Sequence, residues 1–395
     1  MNVRPLQAGA DVSGFVTNRL VGRNASSRAF FDREADRLAR ACQQMAARFQ
    51  AGGRLLAFGR GACATDAQHV AVEFVHPVIV GKRALPALDL SAAFEAWVPA
   101  IVHRHDIVMG FATPAGDRAV AATLQEARSR GALTFSLPGP SGDFAIDPPS
   151  PSPHVCQEIV EILYHTLWET VHVFLEHRES GGEDVGASAF LYPFLGGARQ
   201  DTSHVVADVA ASIRGKAITD ERLREAAAAT QVEAIVRAIE IVRQRAAAGG
   251  MLMFFGNGGS ATDANDWALD CITPPEGSPI RAISLSMDPA SVTAIANDIG
   301  REAIFLRQLI AHGRPGDVAI AISTSGGSSN VIAALEGARK RGMQTVALLG
   351  YDGGEIVRRG LADAAIVVSC DYIPRIQEVQ ASIYHTMVEA WCGLP

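Results

Sequence analysis

Apolar residues fall along this chain in two alternating patterns. Short unbroken runs, Leu55–Phe58, Asp106–Phe111 and Leu133–Leu137, stand between longer stretches whose apolar residues recur at helical spacing. Unbroken runs of that length predict strands buried on both faces, and the wider spacing predicts helices. One helix is expected over Ser26–Phe49, capped by Ser26 or Ser27, with Phe30, Phe31, Leu38, Met45 and Phe49 on one side. Others are expected from Thr65, over Arg118–Arg130, and over Cys156–His177 with Ile159, Ile162, Leu163, Leu167 and Val171 inward. Pro138–Pro153 is rich in Pro, Ser and Gly and reads as loop.

The pattern then starts again. Arg178–Gln200 carries Gly-Gly pairs and Pro193 and reads as a connection, so domains are expected over 1–185 and 200–395. Two helical stretches follow, with a break near Gly215–Thr219 and Val232, Ile235, Ile239 and Val242 inward on the second. Strands are expected at Met251–Phe255, Ile280–Leu285, Asp317–Ile322, Thr345–Leu348 and Ala365–Val368. Ala290–His312, the stretch up to Arg341, and Arg375–Trp391 are expected to be helical. Strands alternating with helices define an α/β chain of parallel sheets covered on both faces, whose ligands collect at the carboxyl ends of the strands.

The two halves are copies. Ala64-Thr65-Asp66-Ala67 recurs as Ala261-Thr262-Asp263-Ala264, an offset of 197, each after a strand and a Gly-rich turn. Leu124–Gly131 matches Leu335–Gly342 at an offset of 211, and Gln157-Glu158 with Tyr164-His165-Thr166 matches Gln377-Glu378 with Tyr384-His385-Thr386 at 220. Matches in one order with growing offsets indicate a tandem duplication whose second copy has longer loops.

Composition narrows the function. The 395 residues carry a net charge of −7, and no basic block suits nucleic acid. No apolar run approaches a membrane span, and Met1–Leu20 lacks the core of a signal peptide. Six scattered cysteines form no CxxC pair, so a reduced, cytoplasmic protein is expected. Cys63 stands in the first Gly-rich turn where Ser260 stands in the second, and a small packing residue is its plainer role.

Candidate chemistry sits at the strand ends. Gly256-Asn257-Gly258-Gly259-Ser260 joins strand to helix and lets a ligand approach the backbone. Ser323-Thr324-Ser325-Gly326-Gly327-Ser328 crowds hydroxyls and glycines before a helix, a cradle for phosphate; a simple N-cap needs only one hydroxyl. The first-half counterpart, Ala112–Asp117, has lost nearly all its hydroxyls and gained Pro114 and Asp117, so that half is expected to have lost the phosphate site. Conversely, His69 and Glu73 lie one turn apart on one helix, and Gln157 and His165 two turns apart on another. These four suit a divalent metal or an acid/base pair, although each alone is an ordinary helix residue. The second-half counterparts are Asp266, Asp270, Gln377 and His385.

These motifs resemble the phosphoheptose isomerase family of SIS (sugar isomerase) domains, strongly from Ala248 to Glu389 and more weakly from Ala51 to Glu169. The resemblance implies two tandem SIS-type domains, each a flavodoxin-like three-layer α/β/α sandwich. It implies substrate and phosphate contacts at Asn257, Gly258, Gly259, Ser260, Asn297, Asp298, Ser323, Thr324, Ser325, Ser328 and Gln377. It places metal ligands at His69, Glu73, Gln157 and His165, with Glu73 and His165 catalytic, and a weaker set at Asp266, Asp270, Gln377 and His385. The implied chemistry is aldose–ketose isomerisation of a sugar phosphate through an enediol, with zinc and no nucleotide cofactor. The implied assembly is a homodimer forming a pseudo-tetramer, with composite sites drawing on both halves. A different class stays open. Thr293–Asp298 and Gly350–Glu355 also resemble the tetrameric SIS protein that binds the bacterial replication initiator, so a sugar-phosphate-binding regulator or assembly platform is the alternative.

Overall fold

The computed structural model describes residues 11–78, 82–179 and 202–393, and Arg178–Gln200, the expected connection, lies almost wholly outside them. Two compact units emerge, one of residues 24–219 and one of residues up to Arg23 together with 220 onward. They depart from the contiguous segments 1–185 and 200–395, because the first helix packs with the C-terminal unit and residues 202–219 pack with the N-terminal one.

The chain opens with α1 (Val12–Gly22) and α2 (Asn24–Gln50). The N-terminal unit continues through β1 (Leu55–Phe58), α3 (Cys63–Val75), β2 (Ala87–Asp89), α4 (Phe94–Ile101), β3 (Ile107–Phe111), α5 (Arg118–Ser129), β4 (Leu133–Leu137), β5 (Phe144–Ala145) and α6 (Pro153–Glu179). Its sheet is parallel, in the order β2-β1-β3-β4-β5. Successive side chains point to opposite faces, as the pleat requires. Leu55, Ala57, Ile107 and Met109 pack against α2, α3 and α6, while Leu56, Phe58 and Val108 pack against α4 and α5.

Helix α7 (Thr202–Thr230) then runs without the break expected at Gly215–Thr219; the interruption falls at Gln231, before α8 (Val232–Ala247). Gly215 costs the helix about 1 kcal/mol relative to Ala, but Val209, Ile213 and Ala217 around it are buried in the core of the N-terminal unit and hold the helix in place. The C-terminal unit follows: β6 (Leu252–Phe255), α9 (Gly259–Ile272), β7 (Ala282–Ser284), α10 (Pro289–Asp298), α11 (Ile304–His312), β8 (Val318–Ser323), α12 (Ser329–Lys340), β9 (Gln344–Gly350), α13 (Gly354–Arg358), β10 (Ala364–Val368) and α14 (Ile373–Gly393). Its parallel sheet runs β10-β9-β8-β6-β7. The helix expected over Ala290–His312 is split, because Gly300 (φ 132°) and a short 3₁₀ turn separate α10 from α11.

The exchange of helices has a physical basis in each core. In the C-terminal unit Val12, Val16 and Leu20, spaced four apart along α1, join the apolar cluster of α8, α9 and α14. In the N-terminal unit Val205, Val209, Ala210, Ile213 and Ala217 of α7 fill the equivalent position. Each incoming helix also supplies a cation to a glutamate of the closing helix: Arg23 meets Glu389 at 3.2 Å, and Lys216 meets Glu169. Glu169 and Glu389 are themselves duplicate positions. Among the described residues, no helix is long and apolar enough to cross a membrane.

Candidate functional site

In the C-terminal unit the Gly-rich turn and the hydroxyl-rich loop lie side by side at the carboxyl ends of β6 and β8. Gly256 can carry no side chain, since a Cβ would lie 2.4 Å from the Ser260 carbonyl oxygen and 2.9 Å from that of Ile322. Ser286, beyond β7, accepts from the Gly256 N–H (3.3 Å) and donates to its carbonyl (3.1 Å), so the turn is tied down from one side. From the other side Asn257 and Asn330 exchange amide bonds of 3.0 and 2.8 Å. Asn330 is buried at the start of α12, and its Oδ1 also accepts from the Val331 N–H (3.0 Å). It was not among the expected site residues. An Asn at a helix start reads as a cap, yet here it orients the amide of the Gly-rich turn.

The loop Ser323–Ser328 is shaped by its own hydroxyls. Gly326 N–H donates to Ser323 Oγ (3.1 Å) and Gly327 N–H to Ser325 Oγ (3.2 Å). Gly326 has φ 60°, and a Cβ there would meet the Gly353 carbonyl at 2.1 Å, so this position requires glycine. Ser328 occupies the N-cap of α12 but its side chain makes no capping bond. Ser325 is exposed and Thr324 and Ser328 are half-buried around the start of α12.

The N-terminal unit closes the same place with its own charges. Asp117, at the position of Ser328, accepts from the Ala119 and Val120 N–H groups at 2.8 and 3.0 Å and caps α5. Arg60, at the position of Asn257, pairs with Glu95 at 2.6 Å and lies 3.9 Å from Asp117. A carboxylate thus takes the helix N–H groups that a phosphate would need.

The helices behind these loops carry the titratable groups. In the N-terminal unit His69 and Glu73 of α3 and His165 of α6 are all buried. His165 Nε2 faces His69 Nε2 at 3.3 Å, and His69 Nε2 lies 3.9 Å from Glu73 Oε1. Glu161, one turn before His165, joins them: ligand atoms of His69, Glu161 and His165 all lie within 4.8 Å of one another. Gln157, two turns before His165 on the same helix, reaches the Ala62 carbonyl with its amide nitrogen at 3.5 Å. In the C-terminal unit Asp266 and Asp270 of α9 each approach His385 Nε2 at 3.4 Å, and Tyr384 donates to Asp266 (2.8 Å). Gln377 is buried on α14. Asn297 and Asp298 pair with each other (2.8 Å) at the exposed end of α10, a helix with no buried residue. Burial pushes the thiol of Cys156 up to about 12, and Cys63 is buried as a packing residue.

Comparison with known proteins decides the lineage. Residues 219–350 match the SIS domain model. The chain is 40% identical over 163 residues to the phosphoheptose isomerase of Rhodospirillum rubrum, an alignment covering 41% of this chain and 84% of that protein. This chain belongs to the phosphoheptose isomerase family. The phosphoheptose isomerase of Nitratiruptor sp. is 48% identical over 138 residues, 34% of this chain and 73% of that one. Each of these two relatives accounts for less than half of the chain. The C-terminal domain of glucosamine-fructose-6-phosphate aminotransferase from Francisella tularensis covers 96% of this chain and 97% of its own, with a TM-score of 0.62 at 9% identity. At that identity the likeness concerns the fold alone, two parallel five-stranded sheets each flanked by helices.

Within this phosphoheptose isomerase family member the two units differ in opposite directions. One keeps the open hydroxyl loop and has exchanged His and Glu for Asp266 and Asp270. The other carries His69 and Glu73 and has the capping Asp117 where the first has Ser328.

Proposed function

We propose that the chain is an aldose–ketose isomerase of a phosphorylated sugar, a phosphoheptose in the first instance. The observation that carries this reading is the pairing of an uncapped, hydroxyl-rich helix start with a buried carboxylate–imidazole cluster, each kept in one unit. Ser323, Thr324, Ser325 and Ser328, with the N–H groups at the start of α12, hold the phosphate. Asn257, Gly258, Gly259 and Ser260 line the sugar, with Gln377, Asn297 and Asp298 as further polar contacts. Glu73 takes the proton from the carbon beside the carbonyl and returns it to the neighbouring carbon. His165 and His69 hold between them either a proton ready for the sugar oxygen or a divalent ion.

The donor set fits zinc. Two imidazole nitrogens on one tetrahedral zinc stand about 3.3–3.4 Å apart for Zn–N distances of about 2.0–2.1 Å, and His69 and His165 are already 3.3 Å apart. His69 and His165 would hold such an ion, and the chemistry it would supply is Lewis-acid polarisation of the sugar oxygens. Isomerisation requires the binding groups and the proton-transfer groups to act on one sugar. We infer that they do so in a homodimer that assembles the domains as a pseudo-tetramer.

The test is steady-state interconversion of sedoheptulose 7-phosphate by the full chain. Ser325→Ala is expected to raise KM, and Glu73→Gln to lower kcat with KM little changed. Turnover unaffected by Glu73→Gln overturns the assignment of the base. A second reading, a sugar-phosphate-binding regulator, draws on the division itself, since neither unit retains both sets of family residues; sugar-phosphate binding with no turnover supports it.

A further inference from the structure

The amino ends of β6 and β8, opposite to the ends that carry the Gly-rich turn and the hydroxyl loop, open into a cavity of about 600 Å³. Small-molecule sites occupy roughly 300–1,000 Å³. Arg281 lines the cavity just before β7, Arg314 and Asp317 at the entry to β8, and Arg341 at the end of α12. In a chain of net charge −7, three arginines and one carboxylate meet there.

The arginines are held by carbonyls rather than by counter-charges. Arg281 donates to the Gly249 carbonyl (2.9 Å), and Arg341 donates through one nitrogen to those of Ile310 (3.2 Å) and Gly313 (3.1 Å). Among the described residues the Arg314 guanidinium has no partner, and the Nε of Arg341 is buried without an acceptor. Asp317 is buried, and its two oxygens accept from the Met251 and Arg314 backbone N–H groups at 2.8 Å each.

The duplicate shows what closes such a cavity. Asp106 holds the matching place in the N-terminal unit, accepting from the Arg54 and His103 N–H groups at 2.9 Å each. There the Arg54 guanidinium folds onto Asp106 (2.8 Å), Arg104 bonds His105 (3.0 Å), and Arg130 pairs with Glu126 (2.7 Å). In the C-terminal unit Met251, Pro315, Gly316 and Gly337 replace Arg54, Arg104, His105 and Glu126. Gly249 (φ 85°) and Gly316 (φ 98°) both face open space where a Cβ would stand. Arg281 takes the place of Pro86, and Arg314 that of His103. Bulk and a glutamate partner have gone while two cations have come in. Like charges gathered at one cavity repel unless an anion joins them.

We propose that this cavity is a second anion site, binding a small molecule that carries two or more phosphate charges between Arg281, Arg314 and Arg341. The guanidinium fork matches phosphate oxygens in pairs. Among the described residues that line the cavity none is Phe, Tyr or Trp, so a nucleobase finds no ring of that kind to stack on and the phosphates carry recognition. Such a site is independent of the isomerase reading.

The test is calorimetric titration of the full chain with pyrophosphate. Ser328→Asp serves as the background, giving the hydroxyl loop the carboxylate that Asp117 supplies in the N-terminal unit, so that only the second site counts. One pyrophosphate per chain is expected to bind the background protein, more weakly as salt rises. Adding Arg281→Gln/Arg314→Gln is expected to lower that affinity by about 10-fold or more, through lost charge-assisted hydrogen bonds. Arg222→Gln/Arg237→Gln removes the same charge from exposed helix positions and is expected to stay within about 3-fold. All four arginines are exposed, and matching urea midpoints check that the variants fold alike. ADP is expected to bind no more tightly than pyrophosphate; tighter binding keeps the site and makes a nucleotide its ligand. No pyrophosphate bound by the background protein, or equal losses in the two arginine pairs, overturns the second site and leaves the isomerase reading untouched.

Discussion

Asn330 is the most exacting test of how the sugar site is built. It is bound to Asn257 through two amide bonds and to the Val331 N–H through a third. Asn330→Ala removes all three. Asn257 faces the open site and recovers its bonds from water, so the loss in stability comes mainly from the Val331 N–H and is expected to be about 1 kcal/mol. The effect on ligand is separate. Freed from Asn330, the Asn257 side chain must be ordered when sugar binds, at a cost of about 0.5–1.5 kcal/mol, or roughly 2- to 12-fold in Kd. Calorimetric titration with sedoheptulose 7-phosphate and urea unfolding measure the two effects independently. The same substitution in an Asn257→Ala background is expected to leave affinity unchanged, since the residue it positions is gone. An equal loss of affinity in both backgrounds refutes the positioning role.

Other predictions follow from the same geometry. Gly326→Ala puts a side chain at φ 60° and against the Gly353 carbonyl; it should cost at least about 1–2 kcal/mol in urea unfolding from the backbone alone and abolish phosphate binding. Asp117→Ala strips the cap from α5 and should cost about 0.5–2 kcal/mol while leaving sugar-phosphate affinity unchanged. Asp106 offers a pH test. Burial opposes its charge, but the Arg54 side chain and the N–H groups of His103 and Arg54 outweigh this and hold the carboxyl below its ordinary value. The stabilisation is present above the unfolded value of about 3.9 and is lost as pH falls through the lower folded value. Urea unfolding should therefore show Asp106→Asn destabilised at neutral pH, with the gap to the native protein closing only in strong acid.

Much of this architecture was legible in the apolar pattern. Leu55–Phe58, Leu133–Leu137 and the second-half strands β6, β8 and β9 announce themselves because central parallel strands are apolar on both faces. The edge strands β2 and β5 do not, since Ala87–Asp89 and Phe144–Ala145 are short and half-solvated. The exchange of α1 and α7 was hidden for another reason: periodicity gives which face of a helix is buried, not which core receives it. In the site, His165 stood out because both halves carry it, and His69 and Glu73 because they lie one turn apart on one helix; the structure buries all three. Glu161 escaped because its duplicate is alanine, although a glutamate one turn before His165 on the same face was a readable signal. Asn297 and Asp298 were expected at the site from resemblance alone, and they pair with each other at an exposed helix end.

In the proposed reaction this chain moves a proton between adjacent carbons of a phosphorylated sugar. Incubating the full chain with sedoheptulose 7-phosphate in D₂O and following the sugar by proton NMR tests it directly. Deuterium is expected to enter at the carbon beside the carbonyl, at a rate that falls sharply in Glu73→Gln. Binding of the sugar phosphate with no deuterium incorporated would contradict it and leave a protein that recognises the sugar without transforming it.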